Sequence, residues 1–140
     1  LRAAILLDPA LNTRDSMAQG AWVNTGVPVE IFRLYAWAAT TFYSLPSGER
    51  DTAELASTIQ TPTLLIQDPE DPVTRLPFAE ALDADNPHIS LAVAEPVATD
   101  APCVSNKGRW GSHVAAFRCF PQWTFATIEA FLGEQRILLR

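Results

Sequence analysis

A parallel α/β sheet with flanking helices is the fold class this sequence predicts, on three observations. Short apolar runs alternate with stretches of helical periodicity, in the order strand, helices, strand, helix, strand, helix. Two of the runs, residues 3–7 and 64–66, are apolar throughout rather than alternating, as strands buried on both faces are. Eleven prolines and six glycines punctuate the segments between them.

Residues 3–7 read as the first strand, stopped by Asp8-Pro9. Residues 12–20 are polar and read as a short helix that Thr13 or Asp15 caps. Residues 21–29, with Gly26 and Pro28, read as a loop. From 30 to 43, Ile31, Leu34, Tyr35, Ala38 and Phe42 recur at three- and four-residue steps, which marks one face of a helix. Leu45-Pro46-Ser47-Gly48 ends it, and Asp51 with Glu54 forms a capping box for a short helix to Ile59. Residues 61–67 are the second strand; Pro62 is tolerable at its entry, where no ladder hydrogen bond is required. Residues 68–72 make a tight acidic loop, and 76–84 a short helix with Phe78, Ala81 and Leu82 on one face. Residues 88–94 form the third strand and 95–111 a long loop. A terminal helix spans 121–132, with Pro121 in its first turn. A strand buried on both faces needs neighbours on both edges, so three strands read as part of a wider sheet.

The chain has 140 residues, one domain's length, with 48% apolar and 19% charged residues, enough to build a core and too apolar for disorder. Sixteen acidic residues against ten basic ones give −6, and no basic stripe is present, so nucleic acid is not an expected partner. No apolar run approaches the ~20 residues that span a bilayer. Leu1 is not a methionine and no leader is visible, so the expectation is a segment of a longer chain or a processed one, with the cytoplasm as its compartment. Cys103 and Cys119 are too few for a disulfide framework and read as ordinary thiols, a single bridge being the alternative.

In parallel sheets, sites form beyond the carboxyl ends of strands. Two loops there are chemically loaded: residues 67–73 after the second strand and 108–114 after the third. Asp71 and His113, one in each, are separated by one helix and one strand, a spacing that can bring an acid and an imidazole to one rim. A carboxylate accepting from one ring nitrogen fixes the tautomer and stabilises the imidazolium, while the other nitrogen faces a nucleophile. Spacing alone favours the plainer reading, a solvated acidic turn and a partly exposed loop histidine. Two histidines far apart in sequence do not suggest a metal site, and His88 reads as a surface residue.

The wording around these residues resembles the α/β-hydrolase superfamily. Thr61-Pro62-Thr63-Leu64-Leu65-Ile66-Gln67-Asp68-Pro69-Glu70-Asp71-Pro72-Val73 is similar to a late strand running into an acidic turn that ends in Asp-Pro. Asn86-Pro87-His88-Ile89-Ser90-Leu91 resembles the entry to the next strand, and Gly111-Ser112-His113-Val114-Ala115-Ala116-Phe117 the histidine loop before a terminal helix. The His-Val-x-x-Phe wording is similar to the embryogenesis-associated esterase branch. The resemblance covers about half the chain, residues 61–132, and more loosely residues 1–8.

It implies the carboxyl-terminal half of an esterase- or lipase-like fold: residues 9–60 as a small helical lid, and 61–140 carrying the acid Asp71 and the base His113. Asp68 and Glu70 are rival acids in the same turn; Asp71 directly precedes the Pro-Val pair. Gly111 lets the backbone turn close to the histidine, while Ser112 stands where the family usually has a second glycine. Trp22, Phe32, Tyr35, Trp37, Phe42 and Tyr43 read either as core packing or as an apolar lid over an acyl pocket. The family's nucleophile elbow, Gly-x-Ser-x-Gly, occurs nowhere in this sequence; Ser16, Ser44, Ser47, Ser57, Ser90 and Ser105 lack the flanking glycines, and Ser112 is a poor nucleophile for its own neighbour. The implied substrate is a small-molecule ester, with no metal and no cofactor, and the expected partner is the missing amino-terminal half of the fold. A non-catalytic interaction module and another chemistry on the scaffold, such as dehalogenation, are the alternatives.

Overall fold

The computed structural model describes residues 2–42, 52–98, 100–104 and 108–136. Within them, three parallel strands lie in the order β1 (Ala4–Leu7), β2 (Thr63–Gln67), β3 (Ile89–Val93). Ala4 pairs with Thr63, and Thr63 with Ile89, so the carboxyl ends of the strands share one rim. Between β1 and β2 come α1 (Thr13–Thr25), α2 (Val29–Phe42) and α3 (Thr52–Ser57); α4 (Leu76–Asp85) links β2 to β3. After β3 follow a single 3₁₀ turn (Gly108–Trp110), α5 (Ala116–Cys119) and α6 (Pro121–Glu134).

The period of two along β2 builds both cores. Leu65 points to one face, where it packs with Leu11, Ala56, Ala79, Leu82 and Ile89. Leu64 and Ile66 point to the other, with Ala94, Ala116 and Phe131. All of β2 is buried, which accounts for its unbroken apolar sequence. The polar groups of this layer are satisfied locally: Asn86 Nδ2 donates to the carbonyls of Ala56, Ser57 and Ile59, closing the end of α3, and its Oδ1 accepts from His88 N.

Five expectations need correction. β1, predicted as a central strand, pairs only with β2 among the described residues, and Leu6 and Leu7 are exposed because no described element covers them. The helix predicted to end near residue 20 runs to Thr25, where Gly26 (φ 77°) closes it in the left-handed conformation. Its cap is Asn12, which accepts from Asp15 N at 2.9 Å, rather than Thr13 or Asp15. On α2 the helical period is right but the stripe is not the packed face: Ile31, Leu34, Tyr35 and Phe42 are exposed, and the buried residue is Ala39, at the margin of that stripe. Most of the aromatic rings between β1 and β2 therefore do not fill the core; Tyr35 is 72% exposed and Trp37 53%. The helix ending at residues 45–48 and the capping role of Asp51 lie outside the described residues, as does Tyr43.

The fifth concerns the cysteines, which are bridged rather than free: Cys103 joins Cys119, 16 residues on. The bridge ties the long loop after β3 to the end of α5 and encloses the turn that carries His113. Closing a loop of this length removes conformational freedom from the unfolded chain worth about 3 kcal/mol. The double variant Cys103→Ala/Cys119→Ala is expected to lose about that much unfolding free energy in urea titration; an unchanged midpoint would show that the bridge constrains nothing the fold does not already fix.

Candidate active site

The rim at the carboxyl ends of β1, β2 and the loop after β3 collects three aspartates and one histidine. Asp8 ends β1, Asp68 and Asp71 follow β2, and His113 lies in the turn after the 3₁₀ segment. Asp71 turns back on its own chain in an Asx-type turn: its Oδ1 accepts from Val73 N at 2.7 Å and Thr74 N at 3.0 Å. Its Oδ2 accepts from the Thr74 hydroxyl at 2.7 Å and faces His113 Nδ1, also at 2.7 Å. Burial alone would raise the Asp71 carboxyl, but the hydrogen bonds from His113, Thr74 and Val73 outweigh it and hold it below the usual carboxylate range. An ionised carboxylate only accepts, so Nδ1 carries the proton and Nε2 is the basic nitrogen of the neutral ring.

Of the three acids in the turn, the structure brings only Asp71 to the imidazole. Glu70 is exposed. Asp68 is fully buried and points elsewhere: its Oδ2 accepts from Ala115 N at 2.7 Å and Ala116 N at 3.1 Å, at the start of α5. His88 is exposed at the opposite end of β3. Gly111 adopts φ 49°, the turn that a glycine before the histidine supplies without a side-chain clash. Ser112 is buried, and its Oγ has no hydrogen-bond partner among the described residues.

The sequence reading missed Asp8, and Asp68, considered there only as a rival to Asp71, binds backbone instead of the imidazole. Asp8 Oδ1 accepts from Asp68 N at 2.7 Å, and its Oδ2 from Val114 N at 2.8 Å. Asp8 and Asp68 thus grip three successive backbone N–H groups directly after His113. Burial, followed by the hydrogen bond to the Asp68 side chain, pushes the Asp8 carboxyl up to about 9. A proton kept on Asp8 can be shared with Asp68, whose Oδ1 has no other partner among the described residues. The one signal available in the sequence was an Asp-Pro pair ending a strand at the rim where sites form.

Asp8, Asp71 and His113 also bring ligand-type atoms within 4.8 Å of one another. The donor set suits a hydrogen-bond network better than a cation: the Asp71 oxygens accept four hydrogen bonds, both Asp8 oxygens hold backbone N–H groups, and Asp8 keeps its proton near neutrality.

No protein-family model matches the sequence, and no curated protein does. Among solved structures, the chain is similar to the Pyrococcus furiosus esterase Pf2001 in three crystal forms. The TM-scores are 0.60, 0.59 and 0.57, at 21%, 17% and 19% identity. Each match covers 96% of this chain but only 44–45% of the esterase, so the chain spans less than half the length of that neighbour. At this identity the likeness shows the fold alone: a parallel α/β sheet flanked by helices.

The two carboxyls titrate in opposite senses. Folded Asp8 holds a proton up to about 9 that an ordinary aspartate releases near 3.8. Stability therefore falls as pH rises through that window, by up to about 1.4 kcal/mol per pH unit. Asp71, held low, contributes stability above the ordinary carboxylate range that is lost as pH falls through its folded value. Asp8→Asn keeps the side-chain shape and removes the first effect. Urea midpoints of the native chain are expected to decline relative to the variant between about pH 5 and 9, and parallel curves would show that Asp8 carries no retained proton.

Proposed function

We propose that this chain supplies the acid and the base of a serine-type ester hydrolase, with Asp71 orienting His113. The observation that carries the reading is the 2.7 Å contact between a buried, ionised carboxylate and Nδ1 of a half-buried imidazole, on a sheet shared with an esterase. In the reaction, Nε2 of His113 takes the proton of a serine hydroxyl as its oxygen attacks the ester carbonyl. Asp71 stabilises the imidazolium that results. The imidazolium returns the proton to the departing alkoxide, giving the alcohol and an acyl-serine. Water, deprotonated by the same nitrogen, then releases the acid and restores the serine.

The nucleophile and the oxyanion donors belong, in this reading, to an amino-terminal half of the same fold. The match to less than half of the esterase supports that division. So do the outer edge of β1, unpaired among the described residues, and the exposed Leu6 and Leu7, which are surfaces a neighbouring strand would cover. The helices between β1 and β2 take the place of a lid. The substrate is a small-molecule ester, and no cofactor enters these steps. No described helix is long and apolar enough to cross a membrane, and the Cys103–Cys119 bridge favours an oxidising compartment over the cytoplasm.

An active-site serine probe tests the proposal. This chain alone is expected to stay unlabelled and to leave p-nitrophenyl esters intact. Joined to an amino-terminal segment bearing a Gly-x-Ser-x-Gly elbow, it is expected to label and turn over. There, Asp71→Asn and His113→Ala should each lower kcat at least about a thousandfold. Labelling of the chain alone would place the nucleophile within it. Turnover that survives His113→Ala would remove the histidine from the mechanism, and the non-catalytic module would then be the better description.

A further inference from the structure

A cleft of about 400 Å³ opens between α1, α2 and the start of α4, a volume within the range of small-ligand sites. Its lining includes Asp15, Arg33, Trp37, Arg75 and Phe78, with Arg14 adding its charge to the same wall. We propose that this cleft binds a small organic anion, the oxyanion on Arg33 and Arg75 and the apolar body against Trp37 and Phe78.

Charge is the first argument. The chain as a whole is at −6, yet here two guanidiniums converge on one carboxylate: Arg33 Nη2 donates to Asp15 Oδ1 at 2.7 Å, and Arg75 Nε to Asp15 Oδ2 at 2.8 Å. One carboxylate neutralises one of the two. Each guanidinium uses one of its five N–H donors on Asp15, which leaves a surplus of donors and of positive charge at the cleft. Both arginine side chains remain more than two-fifths exposed, so solvent or a ligand reaches them.

Preorganisation is the second. Asp15 is almost buried and fixed in the first turn of α1, where its backbone N–H bonds the Asn12 side chain. Arg75 lies over the Phe78 ring at 5.3 Å, a second contact that restrains its guanidinium. Held from two sides, these guanidiniums lose little freedom when they bind an anion. The spacing that already fits the two oxygens of the Asp15 carboxylate suits a carboxylate or a phosphate ester. Trp37 and Phe78 favour an anion with an aryl or alkyl body over a bare inorganic ion.

The cleft shares no lining residue with the acid–histidine pair. Binding there can be read without any esterase activity, so this proposal and the hydrolase reading can fail separately.

Calorimetric titration of the chain with phenylacetate and phenyl phosphate tests it, with 2-phenylethanol and inorganic phosphate as controls. Saturable binding of at least one aryl anion is expected, weakening as salt rises. Arg33→Gln should weaken it about tenfold, the equivalent of one charge-assisted hydrogen bond. Asp15→Asn keeps an amide oxygen in the same place to hold a guanidinium but removes the competing charge, so this variant should bind several-fold tighter; a merely structural ion pair would not show that gain. Trp37→Ala should weaken the aryl anions and spare inorganic phosphate. A preference for phenyl phosphate identifies a phosphate ester, the reverse a carboxylate. No saturable binding, equal affinity for 2-phenylethanol, or an affinity indifferent to Arg33→Gln would overturn the proposal. Should Arg33→Gln prove unfolded by circular dichroism, an affinity independent of ionic strength in the native chain would overturn it equally.

Discussion

The rim of this sheet depends on two neighbouring aspartates being driven to opposite protonation states. Asp71 is surrounded by donors, and four hydrogen bonds keep its charge. Asp8 is as buried but faces another carboxyl, Asp68, and keeps its proton. Charge on Asp8 is opposed by its own burial and by the carboxyls of Asp68 and Asp71 beside it. The proton held on Asp8 keeps a further charge away from Asp71, whose own charge faces the imidazole. Environments that push two like groups apart in this way are how one protein assigns different tasks to the same side chain.

The segment between β1 and β2 solves a different problem. α2 carries an exposed apolar stripe, Ile31, Leu34, Tyr35 and Phe42, and Arg33 and Trp37 at the cleft. A helix built only to cover the sheet would turn its apolar stripe inward. This one packs through Ala39 and small contacts, and gives its larger residues to solvent and to the cleft. Arg33 also ties α2 to Asp15 on α1, so the charged contact that lines the cleft joins the two helices as well.

Much of this was legible in the sequence, and the exceptions have physical reasons. β2 announced itself because a strand buried on both faces must be apolar throughout. Asp71 and His113 were legible because one helix and one strand separate them, which returns the chain to the same rim in a parallel sheet. Asp8 and Asp68 were not read as partners, since they lie 60 residues apart and only the register of β1 on β2 brings the ends of the two strands side by side. α1 looked shorter than it is because its residues are too polar to show a periodic stripe, and its end depends on the φ of Gly26. Periodicity found α2 but could not say which face would be covered. The 16-residue separation of the cysteines gave no hint that the loop folds back to join them.

Backbone strain decides between a histidine that happens to sit in a loop and one that is held there. Val114, next to His113, adopts φ 57°, and Asp8 adopts φ 42°. The left-handed region costs a β-branched residue about 1–2 kcal/mol, and a turn selected for stability alone would place glycine at position 114. The strained residues are bonded to each other, Val114 N to Asp8 Oδ2, and the next two N–H groups are fixed by Asp68. A disulfide closes the same turn from outside. Three independent restraints converge on a segment of a few residues whose most conspicuous product is the placement of one imidazole against one carboxylate. A solvated surface loop has no reason to concentrate strain and its compensation at one point; here both fall on the residues that fix His113 against Asp71.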